Sequence, residues 1–151
     1  MKLPTAVVAL VIAAAPFISQ AKDDPVQSPQ AGGRTYAQNY KDMVLADCIA
    51  TAYKDEPQAA KDAGSSASAL MDWTYFDLEK APTAGKPLID RFLARDYRNP
   101  LVESEVKNVR FELLKCLDLY RSKELDSQVK QLVIKPQHTY RQDNPPKAVK
   151  N

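Results

Sequence analysis

The chain has 151 residues, of which 44% are hydrophobic and 26% charged, and its formal net charge is +2. This hydrophobic content is enough for one packed domain and excludes a wholly disordered chain. The near balance of charge argues against a nucleic-acid-binding protein, in which excess positive charge gathers on one face.

The first 21 residues have the pattern of a cleavable export signal. Lys2 precedes an apolar run over 7–18, and Ser19 and Ala21 place small residues at the two positions that signal peptidase reads. The run is about 12 residues long, whereas a membrane-spanning helix needs about 20. We therefore expect cleavage after Ala21, export of the mature protein, and no membrane insertion after cleavage.

Composition divides the mature chain into three parts. Residues 22–37 are polar, contain Gly32-Gly33, and are expected to form a flexible leader. Residues 38–134 show no useful length of strand-like alternation, which predicts a single all-α domain, a compact bundle of five or six helices. Residues 135–151 are basic and rich in proline, and we expect a disordered tail.

Helical periodicity predicts the first elements of this bundle. A first helix begins at Gln38 or Asn39, runs to about Lys54, and buries one stripe. A short helix fits 57–62 and is ended by Gly64. A third helix is expected over 66–79; its apolar residues surround it, which predicts a place in the core or at a partner surface.

The second half of the bundle follows the same logic. A loop over 80–86 precedes a helix over 87–95, and residues 95–100 interrupt the pattern because Asn99 stands before a proline. A long helix over 102–121 then carries one apolar stripe, and a last helix runs from a cap at Ser122 to about Ile134. The expected inward residues of the long helix are Val102, Val106, Val109, Leu113, Cys116, Leu117 and Tyr120.

Cys48 and Cys116 are the two cysteines of the chain, and both lie on apolar stripes of predicted helices. An exported protein meets an oxidising environment, which favours a disulfide bond that joins the two helices. The alternative is a pair of buried free thiols that pack as small apolar groups. A catalytic or metal-binding role is not expected, because a thiolate nucleophile needs a nearby base and two cysteines alone do not form a zinc site.

Few residues could support catalysis. His138 is the single histidine and lies in the predicted tail, where a general base would not be held rigidly. Carboxylate pairs such as Asp72 with Asp77, or Glu103 with Glu105, are more typical of solvated helix faces than of glycosidase sites. Four glycines form no phosphate-binding loop. We expect no catalytic residues, no metal and no cofactor.

Two segments are candidates for binding another protein. Trp73, Tyr75 and Asp77 belong to an aromatic run of the kind that dominates interface energies, although simple core packing is the alternative. The segment Arg95–Asn99 combines arginines, a tyrosine and hydrogen-bonding groups on an interhelical loop. An ordinary surface turn is the alternative for this second segment.

Three features together resemble a known family: the export signal, the run YKD…LADCIA in the first helix, and LLKCLDLYRSKELD at 113–126. They are similar to the periplasmic immunity proteins that neutralise peptidoglycan amidase effectors of the type VI secretion system. The resemblance covers about 38–134, and its most specific part runs from Cys116 to Leu125. The leader and the basic tail lie outside it.

The resemblance implies a small periplasmic all-α homodimer whose disulfide would fall on Cys48 and Cys116. Such a protein binds a papain-like Cys–His amidase that cuts the D-glutamate–diaminopimelate bond of peptidoglycan. A protruding loop enters the substrate cleft, and here the matching loop is Arg95–Leu101, supported by the Trp73-bearing helix, which can come from the other subunit. The expected partner-binding residues are Arg95, Asp96, Tyr97, Arg98, Asn99, Leu101, Trp73, Tyr75 and Asp77.

Two other functions fit an exported helical domain. A periplasmic helical chaperone or adaptor would protect many client proteins, whereas an immunity protein would protect cells from one toxin. A cell-wall glycosidase with a lysozyme-like helical fold would act on purified peptidoglycan. The resemblance favours the immunity protein.

Overall fold

A computed structural model describes residues 29–145. The expected signal peptide, part of the expected leader and the last six residues lie outside this range. The regular structure of the described residues is helical, which confirms the all-α class and gives more helices than the five or six expected. The helices are α1 (Tyr36–Ala52), α2 (Pro57–Met71), α3 (Ala81–Leu93), α4 (Pro100–Glu105), α5 (Glu112–Tyr120), α6 (Lys123–Leu132) and α7 (Tyr140–Asp143), preceded by a 3-10 helix (Gln30–Gly33).

Helix α1 is the central element of the fold. Thr35 and Gln38 form a capping box at its N-terminus, so the helix begins slightly earlier than the sequence indicated. Tyr36, Tyr40 and Cys48 recur at multiples of four residues and are almost completely buried. Because residues four apart share one helix face, this spacing gives α1 a continuous inner stripe, and α2, α3, α5 and α6 all contact the helix.

The disulfide bond between Cys48 and Cys116 joins α1 to α5 and confirms the prediction. The two Cα atoms are 5.7 Å apart, and 68 residues separate the cysteines in the sequence. Both side chains are fully buried. The bond therefore fixes α5 against the central helix.

Helix α2 is one continuous helix, so the predicted interruption at Gly64 is wrong. Gly64 does not have a positive φ, and a Cβ built on it would lie 4.0 Å from the Ala50 Cβ on α1. The hydroxyl groups of Ser66 and Ser68 donate to the carbonyls four residues earlier. Glycine and serine weaken a helix only modestly, and packing against α1 overrides that preference here.

The expected helix over 66–79 is wrong beyond Met71. After a turn at residues 72–73 the chain pairs with the end of α6 and the residues that follow it: Asp77 N–H donates to Leu132 C=O, and Ile134 N–H donates to Tyr75 C=O, both at 2.9 Å. Phe76 is buried at this bridge. Aromatic and β-branched residues are compatible with extended backbone, and the pairing of Tyr75 and Asp77 with residues 132–134 explains why the helix stops here. Trp73 therefore does not lie on a helix.

Helix α3 begins at Ala81, within the region that the sequence predicted to be a loop. The Asp77 carboxylate accepts hydrogen bonds from the Glu79 and Lys80 N–H groups at 3.1 and 3.0 Å and so stabilises the turn that leads into the helix. Pro87 lies inside α3 rather than at its start. Leu88, Ile89 and Phe92 are buried as predicted.

The long helix expected over 102–121 is two helices, α4 and α5, and the prediction of one is wrong. Asn108 and Phe111 between them have φ angles of 61° and 55°, in the left-handed region that stops an α-helix. Several residues of the expected inner stripe are consequently exposed: Val102 37%, Val106 54% and Leu113 47%. From Cys116 onward the expected inward residues do face the core, because α5 packs on α1 and α3.

The described parts of the leader and of the tail contact the helical domain. Ala31 is buried, and residues 136–138 cover the start of α1. Tyr36 N–H donates to His138 C=O at 2.8 Å, and Ala37 N–H donates to Pro136 C=O at 3.0 Å. The first N–H groups of a helix have no intrahelical partner, and the C-terminal segment supplies two of the missing acceptors.

Asp143 holds this C-terminal segment against α1, and its contacts predict how the stability of the segment depends on pH. Its carboxylate lies 2.9 Å from His138 Nδ1, accepts a hydrogen bond from the Tyr36 hydroxyl at 3.2 Å, and lies 3.6 Å from Lys135 Nζ. The hydrogen bond with His138, with smaller contributions from Tyr36 and Lys135, lowers the pKa of Asp143 below its ordinary value. The stability that this carboxylate contributes is therefore present above the ordinary pKa, about 4, and is lost as the pH falls through the lower folded value.

We expect the amides of Tyr36 and Ala37 to lose protection against hydrogen exchange as the pH falls below about 4. Asp143→Asn should lower the protection factors already at neutral pH and flatten their dependence on acid. Asp126→Asn, which removes an exposed ion pair with Lys41, is the matched control and should leave both amides unchanged. An Asp143→Asn protein with the acid response of the wild type would contradict this assignment.

Candidate functional site

The segment between α3 and α4, residues 94–99, is irregular but firmly anchored. The Tyr97 hydroxyl donates a hydrogen bond of 2.6 Å to Asp118 on α5, and the Arg95 guanidinium lies 3.5 Å from the centre of the Phe92 ring. Asn99 caps α4: its side chain accepts from Val102 N–H, and its own N–H donates to Glu103 at 2.8 Å. The two ends and the middle of the segment are therefore held.

Tyr97 acts within the fold as an anchor. The hydrogen bond to Asp118, followed by burial, raises the pKa of its hydroxyl above the ordinary value. A tyrosine hydroxyl is protonated at neutral pH, and here it donates to the Asp118 carboxylate. We interpret Tyr97 as the residue that positions this segment.

Tyr97→Phe tests the anchor. Loss of the hydroxyl leaves the ring in place but removes a hydrogen bond to a charged group, and we expect the free energy of unfolding to fall by about 1 kcal/mol. Urea denaturation measures this change. Tyr53→Phe is the matched control, because the half-buried Tyr53 has no hydrogen bond to its hydroxyl within residues 29–145. An equal effect of the two substitutions would contradict the anchoring role.

Beyond the anchor, the segment and the start of α4 present two side chains to solvent. Leu101 is 81% exposed, the largest exposed fraction among the large hydrophobic residues of the described chain. The Arg98 side chain is 71% exposed and forms an ion pair of 3.1 Å with Asp96, which is itself exposed. A held backbone with an apolar and a cationic side chain at its surface is suited to contact another macromolecule.

A groove of about 730 Å³ is lined on one side by residues 93–98 and on the other by 106–110. At its base Lys115 is almost completely buried, donates to Leu93 C=O at 3.0 Å, and lies 3.4 Å from Glu112 Oε2. Arg110 contacts the other carboxylate oxygen of Glu112 at 2.7 Å. The lining carries five cationic side chains, Arg95, Arg98, Lys107, Arg110 and Lys115, and two acidic ones, Asp96 and Glu103.

Trp73, Tyr75 and Asp77, the other expected partner-binding residues, do not line this groove. The Trp73 carbonyl accepts a hydrogen bond from the buried Asn39 side chain at 3.0 Å. The Tyr75 ring packs on Tyr36, with ring centres 5.0 Å apart, and Asp77 stabilises the start of α3. Each of the three therefore has a role inside the fold, and Tyr75, at 41% exposure, also presents surface to solvent.

The groups considered for catalysis have other contacts. Both cysteines form the disulfide bond, so neither is a free thiol. His138 is half-exposed and pairs with Asp143 in the C-terminal segment. Among residues 29–145, no three or more His, Cys, Asp or Glu side chains lie close enough together to hold a metal ion.

Sequence reasoning missed one wall of the groove and one apolar face. Lys107 and Arg110 were placed on a continuous helix, whereas they lie on the irregular segment between α4 and α5. Leu113 and Leu114 on α5 are 47% and 46% exposed, beside the half-buried Phe111. In the sequence, Asn108 is the residue that could have indicated the break between α4 and α5, because asparagine is enriched among non-glycine residues with left-handed backbone.

The helical scaffold presents an anchored loop beside a charged groove, and comparison with known proteins identifies the family of the chain. Residues 38–129 match the family model Tai4, described as "Type VI secretion system (T6SS), amidase immunity protein". The chain belongs to this family.

A solved structure from Serratia marcescens, described under "New Type VI-secreted toxins and self-resistance proteins", is similar with a TM-score of 0.70 and 30% sequence identity. The match covers 83% of this chain and 98% of that one. No curated protein matches the chain. Within residues 29–145, none of the helices has the length and apolar character needed to cross a membrane.

Proposed function

We propose that the mature chain is a periplasmic immunity protein that binds a type VI secreted peptidoglycan amidase and occludes its active site. The amidase is a Cys–His enzyme of the DL-endopeptidase class, and its inhibition protects the producing cell. The observation that carries this proposal is family membership over 38–129 together with an anchored, exposed segment at 95–101.

The mechanism is steric occlusion of a cleft. Leu101 and Arg98 project from a backbone that Tyr97 and Asn99 hold in place, so little conformational entropy is lost when the segment enters a partner. In the cleft, Leu101 fills apolar space and Arg98 exchanges its exposed partner Asp96 for acceptors of the enzyme. Substrate and water are excluded while the segment is bound.

The chain itself performs no chemical step in this account. Its disulfide bond, its buried core and the caps of α4 all serve to hold a surface in one shape. Tyr75, Trp73 and Asp77 support that shape through contacts with α1 and α3. A contribution of Tyr75 to the complex would come through its exposed face.

We also propose that the chain is a homodimer, as the family resemblance implies. Leu113 and Leu114 on α5, with Phe111 and Tyr53 beside them, line an apolar depression of about 440 Å³. Burial of such a face against a second copy would remove exposed apolar surface from water. The mass of the complex with the amidase, measured by light scattering, reports the number of chains in it.

The test is protection of sensitive cells. Cells that export the cognate type VI amidase should lyse, and co-expression of the full chain should prevent lysis. A chain that starts at Lys22 should not protect, because the amidase acts outside the cytoplasm. Lysis in the presence of the full chain would contradict the proposed function, and protection without residues 1–21 would contradict the periplasmic site.

A further inference from the structure

The cationic groove beside the 95–99 segment has more positive charge than the fold uses. Arg98 is paired with Asp96, and Arg110 and Lys115 share Glu112. Arg95 and Lys107 pair with no carboxylate of residues 29–145: Arg95 stacks on Phe92, and Lys107 Nζ donates to the Glu103 carbonyl at 3.1 Å. Two exposed cations therefore face the same groove without a counter-charge from the described chain.

The backbone that places the second wall of the groove is strained. Asn108 and Phe111, on either side of Arg110, have φ angles of 61° and 55°. Left-handed backbone is unfavourable for an aromatic residue, and such conformations persist where the surrounding structure imposes them. The extended backbone of Val106 ends α4, and the two left-handed residues keep the helix from resuming before Glu112, so Lys107 and Arg110 line the groove opposite residues 93–98.

We propose that this groove binds a carboxylate-bearing segment of the amidase next to its active-site cleft, an inference that rests on the proposed function. The occluding segment forms one wall of the groove, so a partner that receives Leu101 and Arg98 brings its surface over Lys107 and Arg110. Arginine pairs with carboxylates in a bidentate geometry, and complementary charge determines how fast a complex forms and in which orientation.

The surroundings favour a protein carboxylate over nucleic acid. The groove is limited to about 730 Å³ and includes Asp96 and Glu103 on its walls. The formal net charge of the whole chain is only +2, whereas a protein that follows a phosphate backbone neutralises many phosphates with lysine and arginine. A short acidic segment, with one or two side chains that reach Arg95 and Lys107, matches the groove in size and charge.

The test measures the association rate of the mature chain with the cognate amidase, inactivated at its catalytic cysteine. Lys107→Glu combined with Arg110→Gln changes the charge of the groove by three units. We expect association to be about tenfold slower at low salt, because electrostatic steering is lost. The difference should shrink at about 1 M salt, where the screening length falls to about 3 Å.

The matched control is Lys123→Glu with Lys130→Gln on α6, a helix that contributes nothing to the groove lining. It changes the net charge equally and should alter the association rate by less than about twofold. Lys107→Met, which keeps the side-chain stem and leaves Glu112 paired, is the second variant. It should slow association about threefold with an unchanged melting temperature, and it decides the question if the double variant fails to fold.

Three results overturn the proposal. Equal slowing by the groove variant and the α6 control would show that overall charge is responsible. If the groove variants associate at the wild-type rate and still form a tight complex, the groove does not take part in binding, and the proposed function is unaffected. Failure of the wild-type chain to bind the amidase would overturn the proposed function and the groove together.

Discussion

Replacement of both Cys48 and Cys116 by alanine is expected to lower the free energy of unfolding by about 4 kcal/mol. The bond closes a loop of 68 residues, and the chain-entropy model gives about this value for a loop of that length. The same substitution removes two sulfur atoms from the completely buried contact between α1 and α5. Urea denaturation of the two proteins under oxidising conditions measures the difference.

Reduction of the wild-type protein provides the control for this prediction. Dithiothreitol should destabilise the wild type to nearly the same extent, and it should not affect the alanine variant. The bond also helps to position residues 94–99, because Cys116 lies on the same helix as Asp118, which accepts the hydrogen bond from the Tyr97 hydroxyl. A change below about 1 kcal/mol would contradict the role of the bond as the main restraint on α5.

The second large effect is expected from Arg98→Glu combined with Leu101→Asp. The few hot-spot side chains at the centre of an interface each cost about 2 kcal/mol or more when replaced, so if Arg98 and Leu101 occupy the cleft the affinity for the amidase should fall by at least about 100-fold. The fold should tolerate the change, because Arg98 is 71% exposed, Leu101 is 81% exposed, and acidic residues suit the first turn of α4. Calorimetric titration and thermal unfolding measure the two quantities separately.

Lys123→Glu with Leu78→Asp is the matched control for this pair. It makes the same change in charge and removes an equivalent exposed leucine, since Leu78 is 64% exposed. The control should bind the amidase as the wild type does. An equal loss of affinity in both variants, or a loss explained by unfolding, would show that residues 98–101 do not contact the partner.

The sequence predicted those elements whose apolar pattern and packing agree. The first helix, the cysteine pair and the inward residues Leu88, Ile89 and Phe92 follow from a stripe that faces the core along its whole length. The last helix was also recognised, because Ser122 accepts a hydrogen bond from Leu125 N–H at 3.1 Å and marks its start. In these elements local preference and tertiary contacts favour the same structure.

The errors arose where distant contacts override a local pattern. Residues 72–80 leave the helix because Tyr75 and Asp77 pair with residues 132–134, more than 50 positions along the chain. Val102 and Val106 continue a helical spacing, yet the extended backbone of Val106 ends α4, the left-handed backbone of Asn108 keeps the helix from resuming, and both valines are exposed. Periodicity alone does not contain information on either event.

The candidate site could be predicted in part. The Asn99-Pro100 pair correctly indicated an interruption before α4, and the polar segment around Tyr97 was recognised as a loop. Its anchor on Asp118 is a contact across 21 residues, and the second wall of the groove depends on strained backbone. Neither the contact with Asp118 nor the second wall could be predicted without the three-dimensional structure.

The most direct test of occlusion is the activity of the purified amidase on peptidoglycan in the presence of the mature chain. We expect release of cleaved stem peptides to stop at an equimolar ratio, because binding should reach nanomolar affinity, about −12 kcal/mol. The Arg98→Glu and Leu101→Asp protein should fail to inhibit at the same concentration. A tight complex in which the amidase still cleaves peptidoglycan, or the absence of any complex, would contradict the account.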